Sequence, residues 1–431
     1  MQTSLGVIAK QAELNKRYRF TNLHGIIDTE FLVDSFKRLN KKAAAGIDGV
    51  TAKEYKEKLY CNAENLGEKV KSGKYRARMV RRKHIKKPNG KLRPLGIPAT
   101  EDKLLQTAVG RILNAVYEQD FLETSYGYRP KRGAKEAVRT LTDEASEKYS
   151  YVVEADIQGF FDHIDHEWLM KMLNIRIGDG VIKRLIRKWL KAKIFQEDGQ
   201  VTEPEEGSPQ GSVISPILAN VYLHYALDLW FENIVKKNCE GEAYLIRYAD
   251  DFVALFRYKK DAEKYYKSLG IRLKKFNLEL AEDKTRIISF SRFRKYEKTS
   301  FNFLGIEFRW GVSRNGKDII KRRTERNKLR KSFEAITKWC KENRHQRIRN
   351  QAEQMKLKLQ GYYNYYGIIG NSKSIGQFFN GVMRAWYKWL NRRSQRKSFN
   401  WTEFNAKIIY YKIPGPRIME QSENRTYIQN A

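Results

Sequence analysis

The stretch LIRYADDFVALF, residues 245–256, places Asp250 and Asp251 side by side within an otherwise apolar, strand-like run. Two adjacent carboxylates repel each other, so a fold that holds them together needs a cation to offset their charge. Neighbouring side chains of a strand point to opposite faces. The two aspartates can therefore share a site only at a bend between two strands. An isolated Asp-Asp pair is more often a simple turn, so this pair alone does not establish a site.

A third acid ends another predicted strand. The run YVVEADI, residues 151–157, is rich in β-branched residues and carries Asp156 near its end. If Asp156 approached Asp250 and Asp251 from a neighbouring strand, one or two Mg²⁺ ions, with Mn²⁺ as a substitute, would neutralise the three carboxylates through hard oxygen ligands. That arrangement suits two-metal phosphoryl transfer, in which one ion activates a hydroxyl and the other stabilises the leaving oxygen.

The charge of the chain points to a polyanionic partner. Its 431 residues contain 84 Lys and Arg against 50 Asp and Glu, a net charge of +34. This imbalance argues against an ordinary enzyme of small metabolites, and it favours nucleic acid as partner. Between residues 311 and 400 there are 23 basic and 5 acidic residues, so 18 of the 34 excess charges lie in this fifth of the chain. Aromatic residues are interleaved there, and we expect most of them to pack in a core and the rest to contact bases or sugars.

Other kinds of site are poorly supported. Cys61, Cys239 and Cys340 form no Cys-x-x-Cys pair, so neither a disulfide framework nor a zinc ribbon is indicated. His163 and His166 have zinc-like spacing but lack further ligands, and a loop or helix start is the better interpretation. The sequence shows no signal peptide and no run of about 18 apolar residues. We therefore expect a cytoplasmic protein with no membrane contact.

The local patterns predict both helices and strands. Two helices flank a loop in residues 30–60, and the strands VRRKHI and KLRPLGI meet at a turn over residues 88–90. Further predicted elements are a helix at 101–118, a helix at 213–231, one strand at FNFLGIEFRW (301–310) and mainly helical structure after residue 310.

Several ordered motifs resemble those of reverse transcriptases. RYADDF resembles their Tyr-x-Asp-Asp box, EADIQGFFDHIDH the box with the first catalytic aspartate, and GSPQGSVISPILANVYL their Pro-Gln-Gly box. KKPNGKLRPLGIPATEDKLLQTAV and SYGYRP are similar to finger motifs of the group II intron branch, LAEDKTRIISF and FNFLGIEF to later boxes, and LKLQGYYNYYGI to the maturase, or X, region. One such match would be weak, whereas an ordered series from about residue 30 to 415 is specific.

The resemblance implies an α+β fold shaped like a right hand, with fingers, an antiparallel-sheet palm and a helical thumb. Its implied divisions are an N-terminal extension and fingers at 1–100, a palm with finger elements at 101–308, a helical thumb or maturase X domain at 309–395, and a short basic and aromatic tail at 396–431. Because 13 residues follow IPGPRI, we expect no His-Asn-His nuclease and no second-strand cleavage.

Site residues are implied in the same way. Asp156, Asp250 and Asp251 would be catalytic, and together with Ile157 they would bind the metal. Phe161 would be a steric gate that excludes the ribonucleotide 2′-hydroxyl. The other implied nucleotide contacts are Lys87, Arg93, Phe160, Gln210 and Gly211, and the implied nucleic-acid contacts are Arg81, Arg82, Arg129, Lys284, Arg322, Arg323 and Arg326.

The implied function is RNA-directed DNA synthesis from a DNA or RNA primer with deoxynucleoside triphosphates, together with binding of a group II intron RNA and target DNA for splicing and retrohoming. Two alternatives stay open. The chain could be a catalytically silent RNA-binding splicing factor, although the presence of all three acids argues against it. It could also be a related reverse transcriptase recruited to phage defence.

Overall fold

The computed structural model describes residues 2–86, 92–209, 211–297, 299–394 and 398–420. Lys87 and Gln210, two predicted nucleotide contacts, lie outside the described residues. The chain divides into two compact units, each built from separate stretches of sequence. Unit 1 comprises residues 1–132, 155–252 and 263–286, and unit 2 comprises residues 133–154, 253–262 and 287–431.

Helices occur along the whole described chain. They are α1 (Gln2–Leu14), α2 (Thr29–Lys37), α3 (Ala52–Glu57), α4 (Leu59–Lys71), α5 (Thr100–Tyr117), α6 (Ala134–Glu147), α7 (His166–Arg176), α8 (Gly180–Leu190), α9 (Ser215–Leu223), α10 (Lys259–Lys274), α11 (Arg326–Glu342), α12 (Ile348–Tyr366), α13 (Ser372–Leu390) and α14 (Trp401–Tyr410). The predicted helix-loop-helix of residues 30–60 and the predicted helix at 101–118 are confirmed.

The strands of the described residues form three sheets. They are β1 (Val80–Lys86), β2 (Leu92–Ile97), β3 (Tyr151–Asp156), β4 (Ile194–Phe195), β5 (Val201–Thr202), β6 (Ala243–Tyr248), β7 (Asp251–Phe256), β8 (Arg286–Ser289), β9 (Ser300–Phe303), β10 (Ile306–Val312) and β11 (Asp318–Thr324). The sheet orders are β2-β1-β4-β5, β6-β7-β3-β8 and β11-β10-β9. β1 and β2 pair antiparallel with Arg81 opposite Ile97, so this predicted strand pair is confirmed, although its turn lies outside the described residues.

The core of unit 1 includes the apolar face of α5. Leu104, Leu105, Val109, Ile112 and Leu113 recur at helical spacing, and all of them are completely buried. The predicted helix at 213–231 is also present, since α9 begins with Pro216 in its first turn and continues into π-helical turns at His224–Asp228 and Phe231–Val235. Asn220 of α9 and Asp228 of the first π-helical turn accept hydrogen bonds from Arg247 of β6.

Unit 2 differs from the prediction in its strands. The sequence predicts one strand across residues 301–310, but Leu304 and Gly305 have positive φ angles of 52° and 73° and form the turn between β9 and β10. The prediction of a single strand was therefore wrong. After residue 310 the sequence predicts mainly helical structure, and α11 to α14 confirm it. The sequence did not predict β11, which pairs antiparallel with β10 over its full length.

The helical part of unit 2 packs around aromatic rings. Tyr363 and Trp386 are completely buried, and the indole of Trp386 donates a hydrogen bond of 3.0 Å to Gln351 Oε1. Tyr362 stacks on Phe378 with 3.6 Å between ring centroids. The prediction that most of these rings serve packing is confirmed. Among the described residues, no helix combines the length and apolar character needed to cross a membrane.

Candidate active site

The hairpin of β6 and β7 presents the paired aspartates at its tip. Only Ala249 and Asp250 separate Tyr248, the last residue of β6, from Asp251, the first residue of β7. A two-residue connection joins antiparallel neighbours and needs a positive φ in the turn, and Ala249 supplies it with a φ of 57°. Because Asp250 lies in the turn and Asp251 begins the strand, the bend predicted from the sequence is confirmed.

Asp156 is fixed by the loop that precedes β8. The carbonyl oxygen of Asp156 accepts a hydrogen bond of 2.9 Å from the amide of Ala281, and Ile157 pairs with Leu280 as an isolated bridge. The same loop brings Lys284 to Asp156, where its ammonium lies 2.5 Å from Oδ2. Lys284 is exposed, so the predicted charge near the primer or the triphosphate is accessible.

The pKa values of Asp250 and Lys284 respond to the neighbouring acids. Burial raises the pKa of Asp250, and the charge of Asp156 raises it further, while Arg93 and Arg247 act in the opposite direction. The hydrogen bond from Lys284 to Asp156 raises the pKa of the lysine, against the effect of burial, and the charge of Asp251 contributes in the same sense. Asp156, Asp250 and Asp251 thus belong to one electrostatic neighbourhood.

The donor set fits hard divalent cations in its chemistry, because it consists of carboxylates, which are the oxygen ligands that such cations prefer. Within the described residues, no group of three or more His, Cys, Asp and Glu side chains is already arranged as a metal site. The ammonium of Lys284, not another carboxylate, is the group bonded to Asp156. A positive charge is therefore already favoured at this position.

The segment around Phe161 packs against the Pro-Gln-Gly loop. The carbonyl of Phe161 accepts a hydrogen bond of 2.8 Å from the amide of Ser208. A methyl group on Gly211, which has a φ of 104°, would approach the carbonyl oxygen of Gly96 on β2 to 2.9 Å. These close backbone contacts bring the Phe161 turn, the Gly211 loop and β2 together. Phe161 is only partly buried, whereas Phe160 is buried and packs on Tyr222, which favours a core role for Phe160 over the predicted nucleotide contact.

Arg93 lies on the exposed part of β2, where its charge affects the pKa of Asp250. Sequence reasoning did not single out Tyr128, whose phenol is close to the same groups. Burial raises the pKa of Tyr128, the charge of Asp250 raises it further, and Arg93 lowers it. Tyr128 also has a positive φ of 59°. Its position inside the motif SYGYRP was a signal that could have identified it.

The predicted nucleic-acid contacts of unit 1 occupy different environments. Arg81 donates a hydrogen bond of 2.6 Å to the carbonyl of Ala45. Burial lowers the pKa of Arg82, and the charge of Asp162 raises it. Arg129 is buried, bonds to Glu118 through Nε and Nη2, and donates to two backbone carbonyls. These contacts favour a structural role for Arg129 over the predicted one.

In unit 2, Arg322 bonds to Glu420 and to the carbonyl of Ile369, and Arg323 pairs with Glu307. Arg326, at the start of α11, is exposed. Among these three arginines, Arg326 is thus the most accessible to a phosphate. His163 and His166 behave as the sequence predicts, because Asp165 caps the start of α7 and His166 bonds to the carbonyl of Gly207.

Residues 85–308, just over half of the chain, match the family model described as "Reverse transcriptase (RNA-dependent DNA polymerase)". The chain belongs to the reverse transcriptase family. This reverse transcriptase is 34% identical to Protein YkfC of Escherichia coli over 297 residues, which are 61% of this chain and 77% of YkfC. It is 29% identical to the Group II intron-encoded protein LtrA of Lactococcus lactis subsp. cremoris over 459 aligned residues, covering 86% of this chain and 74% of LtrA.

A shorter region is 38% identical to the "Uncharacterized 91 kDa protein in cob intron" of Schizosaccharomyces pombe over 171 residues, 40% of this chain and 21% of that protein. The relatives place this reverse transcriptase in the group II intron branch, and the predicted family and the enzyme class, an RNA-directed DNA polymerase, are confirmed. The family implies a polymerase fold of fingers, palm and thumb, and the mixture of helices and antiparallel sheets agrees with the predicted α+β class. Reverse transcriptases generally use a divalent metal.

Proposed function

We propose that this reverse transcriptase copies RNA into DNA by adding deoxynucleotides to a primer 3′-hydroxyl, and that it binds a group II intron RNA to assist splicing and retrohoming into target DNA. The observation that carries the proposal is the joint neighbourhood of Asp156, Asp250 and Asp251, in which Lys284 bonds to Asp156. Within the proposal, residues 1–100 contribute the fingers, 101–308 the palm, 309–395 the thumb and 396–431 a tail.

The residues that would hold Mg²⁺ are Asp156, Ile157, Asp250 and Asp251. When bound, the metal would activate the primer hydroxyl and stabilise the charge of the leaving pyrophosphate. The chain itself orients the acids through the β6–β7 hairpin and through the backbone bond from Ala281 to Asp156. Lys284 supplies an exposed cation at this position, which suits contact with the phosphates of the nucleotide or the primer.

The incoming nucleotide would lie between the Phe161 turn and β2. Phe161 would exclude ribonucleotides because its ring would overlap the 2′-hydroxyl. Gly211 would let the backbone approach the nucleotide closely, since its φ of 104° and its contact with Gly96 leave no room for a side chain. Arg93 would bind the triphosphate, with Lys87 and Gln210 as further proposed contacts.

RNA binding would draw on the cationic surface of unit 2. Helix α11 carries six Lys and Arg against two Glu, and Arg326 at its first position is exposed. Such a surface attracts the phosphate backbone and makes binding depend on salt. The relative LtrA is named as a group II intron-encoded protein, which favours an intron RNA as the natural partner.

Primer extension on an RNA template with Mg²⁺ and deoxynucleoside triphosphates tests the proposal. We expect extension by the unmodified protein and a loss of about 1,000-fold or more with Asp250→Asn, because the substitution removes a charge needed in the transition state. The matched control is Asp198→Asn in an exposed turn, which should extend normally. RNA binding of the Asp250 variant, measured by filter retention, should stay within about twofold. No extension by the unmodified protein would favour a silent splicing factor instead.

A further inference from the structure

The hairpin that carries Asp250 contains a completely buried arginine in its first strand. Arg247 is the penultimate residue of β6, and its side chain and that of Asp228 are both 0% exposed. Its Nε and Nη2 donate to the two oxygens of Asp228 at 2.7 and 2.6 Å. This two-pronged geometry is the strongest form of ion pair that arginine makes.

The remaining donors of Arg247 reach three separate segments. Nη2 donates to Ser125 Oγ at 2.8 Å, while Nη1 donates to Asn220 Oδ1 at 3.1 Å and to the carbonyl oxygen of Ala249 at 3.0 Å. A guanidinium has five N–H groups, and five bonds are present. The acceptors are therefore matched to the full donor capacity of this side chain.

The bond to Ala249 falls on the strained residue of the turn. Ala249 has a φ of 57°, a conformation that is unfavourable for a non-glycine residue and persists only where surrounding contacts impose it. The backbone of Gly127 also lies close to the turn, because a methyl group on Gly127 would meet the Ala249 amide nitrogen at 2.2 Å. Asn220 holds that segment through a 2.7 Å bond to the Gly127 carbonyl. Arg247 and Gly127 thus confine the peptide that precedes Asp250.

We propose that Arg247 is a positioning residue for the reaction: through its bond to the Ala249 carbonyl it fixes the turn and thereby the location of the Asp250 carboxylate. Asp228, Asn220 and Ser125 orient the guanidinium for this task. The inference rests on the proposed function only in the catalytic role given to Asp250. Arg247 itself touches no substrate, so its effect must pass through the backbone of the turn.

The chain contains a matched pair for comparison. Arg176 is also buried in unit 1, its Nε lies 2.9 Å from Asp120 Oδ2, and it donates to the backbone carbonyls of Asn15 and Ala12. Buried ion pairs can often be replaced by apolar residues without loss of stability. The double variants Arg247→Met with Asp228→Leu and Arg176→Met with Asp120→Leu therefore remove similar pairs at two places.

The experiment compares amide hydrogen exchange of residues 248–252 with steady-state primer extension in full-length proteins. In the Arg247 double variant we expect hairpin amides to exchange about tenfold faster or more, the effect of one lost bond to a charged group. We expect turnover to fall about 100-fold with an unchanged KM for nucleotide, because small displacements of reacting groups have effects of this size. The Arg176 double variant should change neither readout.

If the Arg247 double variant is as thermally stable as the unmodified protein, unchanged amide exchange in the hairpin or unchanged turnover would overturn the proposal. If the double variant does not fold, Arg247→Lys takes its place, since a lysine keeps a cation for Asp228 but has only three donors. Wild-type exchange and turnover in that variant would equally overturn it. Because hydrogen exchange needs neither metal nor substrate, it tests the positioning role even if the unmodified protein does not polymerise.

Discussion

Two ion pairs near the Asp250 turn differ in burial. We call the buried pair, Arg247 with Asp228, the back of the hairpin, and the exposed pair, Lys284 with Asp156, its front. Behind the hairpin, Arg247 and Asp228 are fully buried and doubly bonded. In front, Lys284 contacts Asp156 through a single 2.5 Å bond, and the two side chains are 61% and 32% exposed. The difference in burial separates a pair that solvent cannot reach from one that solvent can. Under our proposals, the buried pair fixes the Asp250 turn, and the exposed pair can exchange its partners for cations and phosphates.

The largest expected difference concerns stability. Asp228→Ala leaves the Arg247 guanidinium buried without its partner, which should lower the free energy of unfolding by about 3–5 kcal/mol. Lys284→Ala should change it by less than about 0.5 kcal/mol, because exposed pairs are screened by solvent. Urea denaturation of both variants measures the two values. Equal effects at the two positions would contradict the distinction between back and front.

The free energy of unfolding should also depend on pH, because a buried histidine lies near the Arg247–Asp228 pair. Burial lowers the pKa of His224 to about 4; the charge of Asp228 acts against this shift, whereas Arg247 and Arg129 add to it. In the folded protein the pKa of His224 lies below that of an unfolded histidine, about 6.5. The neutral histidine therefore contributes stability that is complete above pH 6.5 and is lost as the pH falls toward 4. The full contribution is about 3 kcal/mol.

The test is denaturant unfolding at pH 7 and pH 4.5 for the unmodified protein and for His224→Gln. We expect the variant to lose about 2 kcal/mol less than the unmodified protein between these two pH values. His345→Gln, at an exposed position, serves as control and should follow the unmodified protein. An unchanged pH dependence in the His224 variant would show that the histidine does not couple to folding.

A smaller effect is expected for the selectivity between deoxynucleotides and ribonucleotides, which should depend on the ring of Phe161. Phe161→Ala should admit ribonucleotides, and the preference for deoxynucleotides should fall about 10- to 100-fold, since such pockets discriminate by about 1–3 kcal/mol. Ratios of kcat/KM for matched deoxy- and ribonucleotides measure it. Phe293→Ala, at an exposed ring, is the control. A retained preference would remove the gate from the account.

Local patterns were sufficient for parts of this fold. The apolar spacing of α5 and the two strand-like runs around Asp250 each report a single element, and both were predicted correctly. The turn at Asp250 could be predicted because neighbouring side chains of a strand point to opposite faces, so two adjacent aspartates can share a site only at a bend. A local pattern placed Asp156 at a strand end, and the family motifs then implied the roles that we propose for Asp156 and Phe161.

Long-range pairing could not be predicted in the same way. The sequence DIIKRRT forms β11 by pairing with β10. Its basic residues break the apolar alternation from which a strand could have been predicted. The sequence did not single out Arg247, because its partners Asp228 and Ser125 are 19 and 122 positions away. A buried charge is identified only when the complete set of its partners is known.

The most direct test of the central claim is primer extension by Asp156→Asn, Asp250→Asn and the double variant, each at equal folded concentration. If the two acids form one site, either single substitution should reduce the rate to the same floor, and the double variant should lie at that floor, because groups that act as a unit are not additive. A double variant whose loss is the product of the two single losses would contradict the claim, as would full extension by either single variant.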